Sequence, residues 1–151
     1  MGEMNNLLIL LFLLTPVQDV SEKALRDHVG TLASDQMEGR CAGKPGSKKA
    51  ALYIENQFKA AGIAPLSGKY QQPFLISSYV DSRIQFGSTN VVAVIPGSDP
   101  KLRSEFVIVG AHYDGPGQKG DPNSIVRIRS SDPEDQIWNG ADDNASGVAA
   151  L

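Results

Sequence analysis

A chain of 151 residues with 14 basic and 17 acidic side chains, and a formal charge of -3, lacks the concentrated positive charge that a nucleic-acid surface requires. With 41% hydrophobic and 21% charged residues it has the makeup of one soluble folded domain, neither collagenous nor disordered. Its single cysteine, Cys41, excludes an internal disulfide and a thiolate-rich zinc cluster, so a bound metal would be held by nitrogen and oxygen.

Residues 7–14 (LLILLFLL) form an unbroken apolar run, far short of the roughly 20 residues that cross a bilayer, so no membrane span is expected. The run lies close behind the initiator and gives way to Thr15-Pro16-Val17. Residues 1–17 are therefore read as a signal peptide that exports the remainder, 18–151, to the periplasm or the extracellular space. Glu3 stands where a basic residue is usual and no A-x-A box follows; a buried strand or helix is the other reading of such a run.

Asp19 and Glu22 have the spacing of a capping box, and Leu25, His28, Val29 and Leu32 recur with helical period, which predicts a helix over 20–33. His28 falls on the apolar face and is read as a packing histidine without chemistry. Residues 34–46 (SDQMEGRCAGKPG) concentrate Gly, Pro and polar side chains and read as a loop. Ala51, Ile54, Phe58 and Ala61 then share one face of a second helix over 46–61, ended by Gly62 in the left-handed conformation. Residues 70–80 and 81–88 read as short strands and turns, with Pro73 confined to an edge or a strand end. The runs 90–95 (NVVAVI) and 106–109 (FVIV) are short, β-branched and uninterrupted. They predict strands buried on both faces of a helix-covered sheet, an α/β pattern. Residues 115–139, with Pro116, Gly117, Gly120, Pro122 and Pro133, form a long polar functional loop, and 145–151 open a further helix.

His112-Tyr113-Asp114 follows the run FVIVGA directly, at the carboxyl end of a predicted strand, where open α/β sheets gather their ligands. Asp114 is close enough to accept the second ring N–H of His112 and fix its tautomer, as carboxylates behind metal-bound histidine do. H-x-D is a weak motif by itself, and taken alone it is better explained as loop decoration. Asp142 and Asp143 add to it, because they precede a predicted helix start. One aspartate there would cap free N–H groups and suit the helix dipole, but two adjacent carboxylates repel unless positive charge lies near. Histidine nitrogen with carboxylate oxygen suits zinc or a related first-row metal better than magnesium or calcium.

Three segments, GAHYD (110–114), NGADDNASG (139–147) and LASDQMEGRCAGKPGSKKAALYIENQFKAAGIAPL (32–66), together resemble the M28 zinc aminopeptidases, the bacterial leucyl aminopeptidase-like metallopeptidases. The resemblance covers nearly everything after residue 20. It implies an α/β fold of the three-layer zinc-peptidase (phosphorylase/hydrolase-like) kind, with a mixed central sheet flanked by helices and incomplete at its carboxyl end. It also implies two Zn2+ ions at the carboxyl edge of that sheet. His112 would be a ligand of one ion, and Asp143, aligned with Ser146 and Gly147 on the pattern D-x-x-S-G, the carboxylate bridging both. Asp114 would be the catalytic carboxylate behind His112, the Asp143–Asn144 peptide would be cis, and Asp142 receives no role.

The implied activity is hydrolysis of a peptide with a free amino terminus by a metal-activated water that a glutamate deprotonates. In the family a Glu-Glu pair after the next strand, then an Asp and a His, complete the two metal shells. The residues up to Leu151 do not hold them, so 18–151 is read as the amino-terminal part of an M28 peptidase domain, expected to have little activity alone and to leave an apolar sheet face exposed. Cys41 stands where the family often has a small residue and is read as incidental. Two other readings are a non-catalytic peptidase-like scaffold, which retention of His112, Asp114 and Asp143 disfavours, and a single-zinc acyltransferase of the glutaminyl cyclase type, which D-N-A-S-G fits less well.

Overall fold

The computed structural model describes residues 20–78, 81–121 and 134–151. The expected signal peptide, residue Asp19 and the middle of the long polar loop lie outside them. Helix α1, Glu22–Leu32, opens at Ser21, whose hydroxyl accepts the Ala24 N–H at 3.0 Å. The cap is thus Ser21 rather than the expected Asp19, because the extended backbone of Ser21 aims its oxygen at the third helical amide. Glu22 falls in the first turn and pairs with Arg26 at 2.6 Å on the exposed side. The inner stripe ends on Leu32, which is buried, while the His28 ring meets the Tyr53 hydroxyl at 2.7 Å and ties α1 to the second helix.

The expected loop 34–46 is more ordered than its composition suggests. Asp35–Arg40 forms a 3-10 segment in which Glu38, Gly39 and Arg40 have φ of 52°, 63° and 53°, so three successive left-handed residues reverse the chain. Gly39 is obligatory there, since a Cβ would lie 2.2 Å from the Gly117 carbonyl oxygen. Helix α2, Pro45–Ala60, starts on a proline, whose missing N–H is harmless in a first turn. It ends as expected, with Gly62 at φ 70° and its N–H on the Lys59 carbonyl. Ala51 and Ile54 are buried, joined by Gly46, Ser47 and Ala50, whereas Ala61 is exposed.

The core gathers Leu32, Met37, Ala50 and Ala145, with Val29, Ala33, Tyr53, Tyr113 and Val148 packed around them. Full burial of a side chain such as Leu32 is worth about 1.5–3 kcal/mol. Because Tyr113 and Ala145 belong to this cluster, the two segments that carry His112 and Asp143 are anchored to the same small core as α1 and α2.

The strands form three antiparallel pairs: β1 (Ala64–Pro65) with β4 (Ala93–Val94), β2 (Gln71–Ser77) with β3 (Gln85–Val91), and β5 (Gly117–Gln118) with β6 (Ile137–Trp138). Pro73, opposite Thr89 in a two-stranded sheet, is on an edge, as its missing N–H demands. The architecture is mixed α/β. The two predicted buried strands differ from expectation. Residues 90–95 are divided, finishing β3 and forming β4, with Ile95 exposed. Residues 106–109 pair with no strand among the described residues and are 73–93% exposed. A β-branched run is buried on both faces only when strands flank it and helices cover it; here α1 and α2 close on Met37 and Ala145 instead.

Helix α3, Ser146–Ala150, follows a π-helical turn at Ala141–Ala145 and realises the helix expected from residue 145.

Candidate metal centre

The segment 111–115 alternates in exposure, with His112 and Asp114 outward and Tyr113 inward, as extended backbone requires. The Tyr113 hydroxyl donates to the Thr89 carbonyl on β3, which fixes the segment from behind. Burial, and then the Asp114 carboxylate, push the Tyr113 phenol above the ordinary tyrosine range.

The His112 ring lies between two acids. Its Nε2 is 3.0 Å from Asp143 Oδ1, and its Nδ1 is 3.3 Å from Asp114 Oδ1 and 3.2 Å from the Asp114 carbonyl oxygen. With Nδ1–H donated to Asp114, Nε2 presents a lone pair to Asp143. Two lone pairs facing each other at that distance require a shared proton or a cation. The side chains of His112, Asp114 and Asp143 are 55%, 52% and 83% exposed, so as simple ion pairs they would add little stability. Exposure does leave them open to a ligand.

Asp143 is presented by an unusual turn. Gly140 at φ 58° starts it, and a Cβ there would lie 2.5 Å from the Asp143 carbonyl oxygen and 2.8 Å from Arg40. The Asp143–Asn144 peptide is cis, as the resemblance implies. The Asn144 amide then donates to the His112 carbonyl at 3.3 Å, joining the segments of His112 and Asp143 directly. Neither Asp142 nor Asp143 caps α3, whose N-cap is Ala145 with no side-chain bond. The ordinary explanation for an aspartate before a helix therefore does not apply to this pair. Asp142 contributes its carbonyl, which accepts the Ser146 hydroxyl at 2.9 Å.

The donor chemistry suits zinc in part. A tetrahedral zinc with nitrogen and oxygen ligands at about 2.0–2.2 Å spans donors roughly 3.3 Å apart, close to the Nε2–Oδ1 separation. Among the described residues no three His, Cys, Asp or Glu side chains converge as a complete metal shell.

Arg40 is the residue that sequence reading missed. It is 1% exposed and donates to four main-chain carbonyls: Nε to Tyr113 at 2.8 Å, Nη1 to Leu32 and, at 2.6 Å, to Asn139, and Nη2 to Gly140 at 2.8 Å. Burial draws its guanidinium below the ordinary arginine range, and the Asp114 and Asp143 carboxylates oppose that. Asp35 accepts the Asn139 amide at 2.8 Å alongside it, and the Arg40 carbonyl accepts the Gly115 N–H at 3.1 Å. The available signal was an arginine inside a glycine-rich loop, M-E-G-R-C-A-G. Cys41 next to it is buried, and burial with the Asp121 carboxylate pushes its thiol up, which disfavours the reactive thiolate form.

Residues 90–151 match the family model of peptidase family M28. Over this stretch, which contains His112, Asp114 and Asp143, the chain is similar to that family of peptidases. No curated protein and no solved structure matches the chain. Arg40 and Asp35 lie upstream of the M28 stretch in sequence and against it in space.

Proposed function

We propose that this chain carries part of the centre of a zinc-dependent M28 aminopeptidase, with His112 and Asp143 as zinc ligands and Asp114 as the carboxylate that orients His112. The observation that supports this best is the 3.0 Å approach of Nε2 to Asp143 Oδ1, between two residues of the M28 stretch. Zinc, when bound, polarises a scissile carbonyl and acidifies a water. The chain's own residues prepare for it. Asp114 accepts the Nδ1–H hydrogen bond and so reserves the Nε2 lone pair for the metal, and the turn from Gly140 points Asp143 at the same place. The Asp114 and Asp143 carboxylates, on either side of the His112 ring, favour a substrate that approaches with a positively charged amino terminus.

The reading includes the finer expectations as well: two zinc ions, a glutamate base, little activity from His112, Asp114 and Asp143 alone, a three-layer zinc-peptidase sheet, and export directed by residues 1–17. Calorimetric titration of the chain with zinc tests the ligands. Binding is expected for the wild type, loss for His112→Ala and Asp143→Asn, and a weakening of about 10–100-fold for Asp114→Asn. Equal zinc affinity in all four proteins would refute the assignment. Turnover of an aminoacyl amide by a chain carrying the further ligands separates a peptidase from a scaffold that binds metal without hydrolysis.

A further inference from the structure

We infer that Arg40 is the positioning residue of this centre: its buried guanidinium sets the spacing of the His112 and Asp143 segments by holding a carbonyl from each side of the site at once. The inference rests on the zinc reading for its functional meaning, but its geometry can be tested apart from metal.

Three of the four carbonyls that Arg40 engages belong to the segments that carry the site. Tyr113 lies between His112 and Asp114, and Asn139 and Gly140 start the turn that presents Asp143. The fourth, Leu32, is the last residue of α1 and a member of the core. The planar fork therefore ties both ligand-bearing segments to one rigid support. Lysine cannot reproduce this, because its donors radiate from a single atom whereas Nε, Nη1 and Nη2 reach partners spread around a plane.

A guanidinium at 1% exposure is also a poor choice for merely filling space, because each of its donors must find an acceptor away from water. None of its four hydrogen-bond partners is a carboxylate. Its charge is felt instead through space by Asp114 and Asp143, the two acids that flank the His112 ring. The same group thus fixes the main chain on both sides and places one positive charge near both acids that flank the His112 ring.

The chain has two histidines, which provide the test. His112 reports on the site, and His28, bonded to Tyr53 between α1 and α2, reports on the remaining fold. In proton–nitrogen correlation spectra of the full chain at fixed pH without metal, Arg40→Lys is expected to shift or broaden the His112 ring signals and leave those of His28 in place. Zinc-induced changes at His112 should then need about 10–100-fold more zinc than in the wild type. Unchanged His112 signals, or equal displacement of both rings, would overturn the inference. In the wild type itself the Arg40 Nε–H should exchange slowly and show a coupling to the Tyr113 carbonyl carbon; fast exchange would overturn the inference even if the variant fails to fold. Absence of any zinc response at His112 in the wild type would count against the metal reading alone, because the metal-free signals judge Arg40 independently.

Discussion

Arg40 and Val107 invert the usual expectation for their side chains. The guanidinium is 1% exposed and the valine 93% exposed, within one small structure. Arg40 is buried because α1, the Asn139–Gly140 turn and the Tyr113 carbonyl surround it with acceptors, so its desolvation is matched bond for bond. Val107 is exposed because no strand pairs with 106–109 among the described residues and no helix covers it. Polarity says what a side chain needs, and the neighbours supplied by the fold decide whether it is buried.

The largest expected effect strikes the buried member of that comparison. Arg40→Leu leaves four carbonyls without their donor, at about 1–3 kcal/mol for each one that stays buried, so urea unfolding should report a loss of roughly 4 kcal/mol or more. A loss below about 1 kcal/mol would mean that water replaces the guanidinium and the clamp is not a structural unit. Next comes a matched pair of apolar truncations. Leu32→Ala should lower stability by about 2–5 kcal/mol, while Val107→Ala should change it by no more than roughly 0.5 kcal/mol. Comparable losses for the two would show that 106–109 are covered in solution.

Smaller effects sharpen the same contrast at the margins of the packed region. Ser21→Ala removes the α1 cap and should cost about 1 kcal/mol, seen as a reduced helical signal and an earlier unfolding midpoint. The last expectation concerns pH. Cys41 and Tyr113 both have folded-state pKa values raised above the unfolded ones, so the folded form holds their protons more tightly. Their contribution is complete below the ordinary thiol range and is lost as pH rises through the folded values. Unfolding midpoints should therefore fall as pH rises above about 8.5, where Cys41 acts, and further above about 10, where Tyr113 acts; the first part of the fall should be absent in Cys41→Ala, and the folded thiol should react slowly with a disulfide reagent at about pH 8.

Much of the local structure was legible in the chain. The 3.6-residue spacing of Leu25, Val29 and Leu32 located α1, and Gly62 marked the end of α2 by its tolerance of positive φ. The cap of α1 was misplaced by two residues because Asp19 and Ser21 are both good caps and only the entry angle of the chain chooses between them. The same limit hid the 3-10 segment, since loop composition is silent about three successive left-handed residues. For the candidate centre, residue types pointed to His112, Asp114 and the Asp142–Asp143 pair, the family resemblance singled out Asp143, and short-range chemistry sufficed to pair His112 with Asp114.

The amino-acid sequence by itself determined which helices form, where they stop, and which side chains have nitrogen and oxygen to offer a metal, because those properties depend on residues within a few positions of one another. Only the tertiary structure decided that His112 meets Asp143, that Arg40 lies buried behind them both, and that 106–109 face outward. Each of these depends on partners tens of residues away, which become neighbours only when a shared core offsets the entropy of closing the chain between them.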